Sequence, residues 1–383
     1  MRRFVILICT FAFLFSCKQE ESLPLDAVFD LARSQSILLA SQLGPDETAR
    51  TFQGDSLVTA SPKWWCSGFF PGTLWYIFEY TGDETIRELA LRETAKVEDV
   101  KWNTRDHDVG FIINCSFGNQ YRITGDAHAR EVMETAARSM SVGFNPTVGC
   151  MRSWYFQQKR WHFPVIIDNM MNLELLAAVG QMAGADSLTQ VAVSHARTTI
   201  KNHFREDYTC FHLVDYEPED GSVRGRMTVQ GYADSSSWAR GQAWALYGYT
   251  MMYRFTGEAA FLHQAEAVGN MLIERLPSDG IPYWDFDAPD IPVAPKDASA
   301  AAVMASAFIE LSTCSGNGKP FRNMAYKQLR TLCSPEYLSA PGENGGFILR
   351  HSVGHFSKGS EIDVPLTYAD YYFLEALLRW KNL

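Results

Sequence analysis

Three aspartates stand at the starts of apolar, helix-periodic segments: Asp108 in RDHDVGF, Asp168 in FPVIIDNMMN and Asp297 in KDASAAA. A fourth such start carries Arg240 and Trp244 in DSSSWARGQAW, four residues apart and therefore on one helical face. Taken singly, each aspartate reads as a helix N-cap, where a short carboxylate accepts from unpaired backbone N–H groups. Taken together, carboxylates converging on one cavity can do acid/base work, and two across a sugar-sized cleft are the minimum for chemistry at a glycosidic centre. The run FPVII before Asp168 would desolvate its carboxyl and favour the protonated form that a general acid requires. Trp64 and Trp65 in KWWCSGFFPGTLW, with Trp154 and Trp161 further along, could offer flat surfaces to pyranose rings, although tryptophan serves equally well in a core. His212 in CFHLVDY and Gln230 in VQGYADSSSW read by themselves as a satisfied loop histidine and a surface amide.

The elements that must position these residues come from a hidden repeat. A short turn recurs between helical patterns: TGDE at Thr81, TGDA at Thr124, AGAD at Ala183, TGEA at Thr256 and SGNG at Ser315. Glycine supplies the left-handed residue that stops one helix, and an acidic residue then starts the next. Before each turn lies an apolar segment (68–81, 108–124, 168–183, 238–256, 298–315), and after it a more charged amphipathic one, so buried and half-exposed helices alternate. A helix over 25–43 and another over 366–381 bring the total to twelve. Stacked helical hairpins bury their apolar faces only against neighbours, and closing the stack removes exposed ends. The strongly apolar 366–381 segment does not look like a polar cap, so the pattern predicts an all-α, closed (α/α)6 barrel over 17–383. Segments leading into the buried helices are long (144–167, 205–237, 277–297, 335–365) and must emerge on one face, which therefore should carry the site.

Composition sets limits on partners. The 383 residues contain 34 Lys+Arg and 44 Asp+Glu, a net charge of −10, which excludes a bulk nucleic-acid binder. Arg2 and Arg3 precede an apolar run from Phe4 to Phe15 that ends in LFSC, similar to a bacterial lipoprotein signal over 1–16 with acylation at Cys17. The membrane would then be met only through that anchor. Lys18 does not resemble an inner-membrane retention aspartate, so periplasmic display on the outer membrane is expected, with cell-surface display as the alternative. The cysteines form no CxxC and read as buried thiols. His351 and His355 are four apart but lack the glutamate of a HExxH helix, and no metal site is read.

The strings WCSGFFPGTLW, HDVGF, RWHFPVIIDNMMNLELL, QGYADSSSWARGQAW, DASAAA and HSVGHFSKGSEIDVPLTYADYYFLEALLRW resemble glycoside hydrolase family 88, the unsaturated glucuronyl hydrolases, in the family's order from about residue 60 to the end. The resemblance implies an (α/α)6 barrel that needs no metal or organic cofactor. It also implies removal of a C4=C5 unsaturated uronic acid from the non-reducing end of lyase-generated glycosaminoglycan oligosaccharides by hydration of the vinyl ether. By motif it makes Asp168 the general acid/base and Asp108 a second essential carboxylate. His212, Gln230, Arg240 and Trp244 would line the substrate subsite, with Trp65 and Trp154 as further aromatic walls. A Ser-x-Gly-Ser-x-Lys pattern associated with 6-sulfated substrates is replaced here by Ser352-Val353-Gly354-His355-Phe356-Ser357, which points toward unsulfated or heparin-derived fragments. The rival readings are an unsaturated rhamnogalacturonyl hydrolase acting on pectin fragments and a glycan-binding lipoprotein without catalysis.

Overall fold

Four of the five glycine turns end a buried helix in the left-handed conformation, with φ of 68° at Gly82, 70° at Gly125, 62° at Gly184 and 67° at Gly257. After the first two, Asp83 and Asp126 cap the following helices through their side chains. The fifth turn departs from the pattern, since Ser315 ends its helix in an extended conformation. Its glycine is needed for contact instead: a Cβ on Gly318 would lie 2.0 Å from the Ser312 carbonyl oxygen.

The structure, a computed structural model, describes residues 22–383; the predicted signal segment and Cys17 lie outside the described residues. Its helices are α1 (Leu25–Ser41), α2 (Phe69–Thr81), α3 (Glu84–Ala95), α4 (Val109–Ile113), α5 (Asn119–Thr124), α6 (Ala127–Ser141), α7 (Asn169–Ala183), α8 (Asp186–His203), α9 (Ala239–Thr256), α10 (Ala259–Arg275), α11 (Ala298–Cys314), α12 (Lys319–Leu332) and α13 (Thr367–Lys381). A π-helical stretch, Asn114–Gly118, joins α4 to α5, so 109–124 acts as one helix with a widened turn. There the Ser116 hydroxyl donates to the Ile112 carbonyl and the Asn119 amide to the Cys115 carbonyl.

The buried helices pack in a closed ring: α2 on the π stretch, α4 on α7, α7 on α9, α9 on α11, α11 on α13, and α13 back on α2. The outer helices lie against them as the other arms of the hairpins. Outer α12 shows why: it buries Phe321, Met324, Ala325, Gln328, Leu329 and Leu332, one helical stripe, and leaves the rest to solvent. The fold is the (α/α)6 barrel.

Among the described residues, nine short strands lie in the loops that lead into the buried helices, where periodicity gave no signal. They are β1 (Thr48–Gln53), β2 (Ser56–Ala60), β3 (Phe144–Asn145), β4 (Cys150–Met151), β5 (Phe163–Ile166), β6 (Leu213–Tyr216), β7 (Val223–Met227), β8 (Ser352–His355) and β9 (Ser360–Val364). The antiparallel sheet β5-β6-β7 joins two separate loops. Its residues Phe163, Val165, Val214 and Tyr216 are buried, and a buried backbone must pair its N–H and C=O groups. All six described cysteines are unpaired, four of them buried.

At the far mouth, where the inner helices end, Glu375 of α13 ties the ring together. It accepts from Tyr76 of α2 and Tyr247 of α9, each at 3.0 Å, and from Ser306 of α11. A cavity of about 780 Å³ opens there, lined by Glu79, Arg122, Glu174, Arg254, Glu310 and Arg379, whose charges are mutually paired. Glu375→Gln keeps the shape but weakens four charge-assisted hydrogen bonds, the fourth being the ion pair with Arg379 at 3.4 Å. A loss of about 2 kcal/mol is expected, read as a lower midpoint in denaturant unfolding.

Candidate active site

At the opposite mouth, the inner-helix N-termini and the strand-bearing loops meet. Of the three aspartates, only Asp297 is a cap. Its Oδ1 accepts from the Ser299 N–H at 3.0 Å and the Ser299 hydroxyl at 2.6 Å. Asp108 and Asp168 occupy the N-cap positions of α4 and α7 but make no side-chain cap bond, so their carboxylates are turned to another use.

A close helix approach brings these two together. A Cβ on Gly110 would lie 2.6 Å from the Asn172 Cα, so only glycine lets α4 sit this near α7. Asn172 Oδ1 accepts from the Phe111 N–H at 2.6 Å, fixing the register between the helices. Gly110→Ala must push α4 outward. We expect a loss of about 1–3 kcal/mol in stability, and a displacement near 1 Å at Asp108 should lower kcat/KM by roughly 100-fold. Unfolding and turnover measured on one preparation check both.

Each carboxylate faces a neutral imidazole in a determined tautomer. His212 Nδ1 accepts from the backbone N–H groups of Val229 at 3.0 Å and Gln230 at 3.2 Å, so its proton sits on Nε2, 3.6 Å from Asp168 Oδ2. His107 Nδ1 lies 3.0 Å from the Asn172 amide nitrogen, whose oxygen is already an acceptor; its proton too sits on Nε2, 3.5 Å from Asp108 Oδ1. Burial, then His355 and Arg240, pushes the His212 imidazole down to about 3. Burial likewise pushes His107 down to about 4.

The carboxylates shift the other way. Burial raises Asp168 to about 7, against the pull of the Arg240 charge. Burial and then the charge of Asp168 raise Asp108 to about 7, and burial and then Asp108 do the same for Asp106. A group of acids poised near neutrality is what proton transfer at that pH requires. Among the described residues, Asp168 Oδ2 and His212 Nε2 are buried outside hydrogen-bonding geometry, and the buried Trp244 indole N–H faces the Asp168 carboxyl closely enough to help hold its pKa down. Buried polar atoms left open in this way are positions that a ligand or water would satisfy.

Arg240, which the resemblance has lining the substrate subsite, has its guanidinium enclosed by protein groups. It is 1% exposed, and both terminal nitrogens are fully used. Nη1 donates to Asp297 Oδ2 at 3.1 Å and to the Val353 carbonyl; Nη2 donates to Gln230 Oε1 at 3.2 Å and to the Gly354 carbonyl at 2.6 Å. It lies over Trp238 and Tyr368 as well. Arg240 therefore fixes α9, α11, strand β8 and Gln230 relative to one another and supplies positive potential to Asp168.

The aromatic residues divide. Trp244 is buried against Phe111 at 5.3 Å, and Phe111 meets half-buried Trp65 at 5.8 Å, forming one continuous wall. Trp154 is half-buried, stacked on exposed Phe156 at 5.1 Å, and bridged through its backbone to Asp106. Trp161 is buried beneath Trp154 as core, and Trp64 lies outside under Arg50. Asp106, His107, Asn172, Trp238 and Tyr368 also belong to the site and escaped the sequence reading. The DHD run and an asparagine four residues after Asp168 were the available signals.

Asp106, His107 and Asp108 each bring a ligand atom within 4.8 Å of the others, close enough to hold a cation by distance. Asp106 Oδ1 accepts from the Asp108 N–H at 3.0 Å, and His107 Nδ1 is taken by Asn172, so part of that capacity is used internally. The C-terminal loop is likewise tied inward: His355 Nδ1 and the Ser357 hydroxyl lie 3.1 Å apart, and that hydroxyl reaches the Val229 carbonyl.

Proton-poised carboxylates with open valences, set in an aromatic mouth on an (α/α)6 barrel, define an acid/base site for sugars. The chain belongs to Glycosyl Hydrolase Family 88, whose profile matches residues 45–333, and is a glycoside hydrolase. It is 48% identical over 324 residues to an unsaturated glucuronyl hydrolase of Formosa agariphila, covering 84% of this chain and 81% of that one. A solved unsaturated glucuronyl hydrolase specific for heparin superposes with a TM-score of 0.91 at 44% identity, covering 94% of this chain and 97% of the other. A Streptococcus agalactiae unsaturated glucuronyl hydrolase, solved as a mutant complexed with dGlcA-GalNAc6S, superposes with a TM-score of 0.79 at 27% identity, covering 94% and 93%.

Proposed function

We propose that the protein is an unsaturated glucuronyl hydrolase. It removes the C4=C5 unsaturated uronic acid from the non-reducing end of lyase-generated glycosaminoglycan oligosaccharides. The observation that carries this reading is Asp168: buried, raised to about 7, uncapped, and with one carboxyl oxygen unpartnered beside a second carboxylate.

The chemistry follows from what such a carboxyl can do. Protonated Asp168 gives its proton to C4 of the vinyl ether, and positive charge develops at C5 and the ring oxygen. The resulting carboxylate takes a proton from water as that water adds to C5, so the group ends as it began. The hemiketal at C5 then opens and releases the next sugar. His212 Nε2–H, whose other nitrogen is locked as an acceptor, orients the Asp168 carboxylate after proton transfer. Half-buried Trp65, backed by Phe111 and the fully buried Trp244, offers the wall against which the uronate ring packs.

The test is loss of the ultraviolet absorbance of the conjugated double bond, run in parallel on glycosaminoglycan-derived and pectin-derived unsaturated disaccharides. Turnover of glycosaminoglycan products supports the reading, and turnover of pectin products alone replaces it with the rhamnogalacturonyl activity. Binding without consumption in the wild type would make the protein a glycan-binding module instead.

For the chain's address we infer a lipid on Cys17 and a periplasmic, outer-membrane location. The basis is the Arg2–Arg3 start, the apolar run and the Cys that follows it. Mass spectrometry of the mature N-terminal peptide, with and without Cys17→Ser, tests this; an unmodified peptide beginning elsewhere would overturn it.

A further inference from the structure

Next to the carboxylates stands a group of cations that pair with no carboxylate among the described residues. Arg105 immediately precedes the Asp106–Asp108 run, which puts its Cα within about 11 Å of that of Asp108. Arg152, Lys159 and Arg160 come from the 144–167 loop, whose Trp154 is bridged to Asp106 and whose Ser153 carbonyl accepts from the His107 N–H at 3.3 Å. Arg105 and Arg152 both lie over the Tyr155 ring, at 4.9 and 4.7 Å from its centroid, and Arg160 lies over Trp161 at 4.5 Å. Arg152 donates to the His162 carbonyl but its Nε is buried without a partner. The carboxylate of Asp215, which Arg152 senses, is already held by Arg224 at 2.6 Å and by the Phe163 N–H.

Two guanidiniums sharing one ring repel; burial, with a smaller contribution from the Arg105 charge, disfavours the charged form of Arg152. In a chain of net charge −10, Arg50, Arg122, Arg197 and Arg254 are ion-paired, and Arg205 and Arg226, which are not, donate to backbone carbonyls. An anion placed between Arg105, Arg152 and Arg160 would relieve the repulsion. The opposite wall is poorly suited to that task. The Val353 and Gly354 carbonyls there are turned to Arg240, and His355 and Ser357 bond each other.

We propose that Arg105, Arg152 and Arg160 form a subsite for a sulfate group on the sugar that follows the unsaturated uronate, beside the Trp154–Phe156 platform. The proposal rests on the hydrolase reading above and names the substrate class within it. In an unsaturated disaccharide the second sugar is a hexosamine without a carboxylate, so its only fixed anion is sulfate.

The test compares Arg105→Gln, Arg160→Gln and the double variant on a matched pair of unsaturated disaccharides of one linkage, sulfated and unsulfated. For the double variant, KM for the sulfated substrate should rise about five- to tenfold with kcat kept, since rim charges act on encounter and binding. KM for the unsulfated partner should stay within about twofold, and the salt dependence of the sulfated KM should flatten. Arg105→Lys with Arg160→Lys should keep the preference for the sulfated substrate, a rescue that a purely structural role would not give. Equal effects on both substrates, or none, overturn the subsite and leave the hydrolase reading standing. An effect confined to an unsulfated tetrasaccharide, which brings a second uronate carboxylate, overturns the assignment to sulfate. If the wild type consumes neither disaccharide while folded, the hydrolase reading itself fails, and the subsite with it.

Discussion

Asp168→Asn should lower kcat/KM by about 10²- to 10⁴-fold while leaving the protein folded. Asparagine keeps the size of the side chain and removes the one proton the mechanism moves. The same burial that raises Asp168 to about 7 sets the sign of its effect on stability. The native state holds a proton that the unfolded chain has already lost, so stability falls as pH rises from the ordinary carboxylate range through 7. A neutral asparagine escapes that fall, and the variant should unfold at the same or a higher midpoint at pH 8. Activity of the parent should decline on the alkaline side with a midpoint near 7. Asp106 and Asp108 are raised to about the same value, so the limb belongs to the cluster and not to one residue. A well-folded Asp168→Asn protein with undiminished turnover would falsify the assignment.

Arg240→Met should cost about 3–5 kcal/mol and abolish detectable turnover. The loss comes from what remains: Asp297, fully buried, loses its counter-ion, and the Val353 and Gly354 carbonyls and the Gln230 amide lose their donor. Arg240→Lys should recover only part of this, because one ammonium cannot reproduce a planar fork that reaches four acceptors. Adding Asp297→Asn to Arg240→Met removes the stranded charge and should restore part of the stability. Activity should not return, since strand β8 and Gln230 are still released. Denaturant unfolding with parallel turnover separates the two effects.

Much of the architecture was legible before any coordinates. The glycine turns and the alternation of apolar and amphipathic segments placed the five buried helices before those turns, and the two terminal helices, within about two residues of their observed ends. They did so because helix periodicity and left-handed stop residues are local properties written in consecutive residues. The strands were not legible. They are two to six residues long, too short for a period to show, and β5 pairs with β6 across two separate loops while the other pairs are local hairpins.

The site divides along the same line. That carboxylates and aromatics gather at the inner-helix starts follows from spacing alone, because every long loop must emerge on one face. Which aspartate caps a helix and which is left open for chemistry was settled only by packing. Asp297 finds the Ser299 N–H, while Asp108 and Asp168 turn away from theirs. Arg240 makes the same point, since a residue chosen for its charge proves to be held by four acceptors from three distant segments. Helices and the face that bears the site are encoded locally; proton positions, open valences and the unpaired cations at the rim exist only after segments separated by tens to hundreds of residues have met.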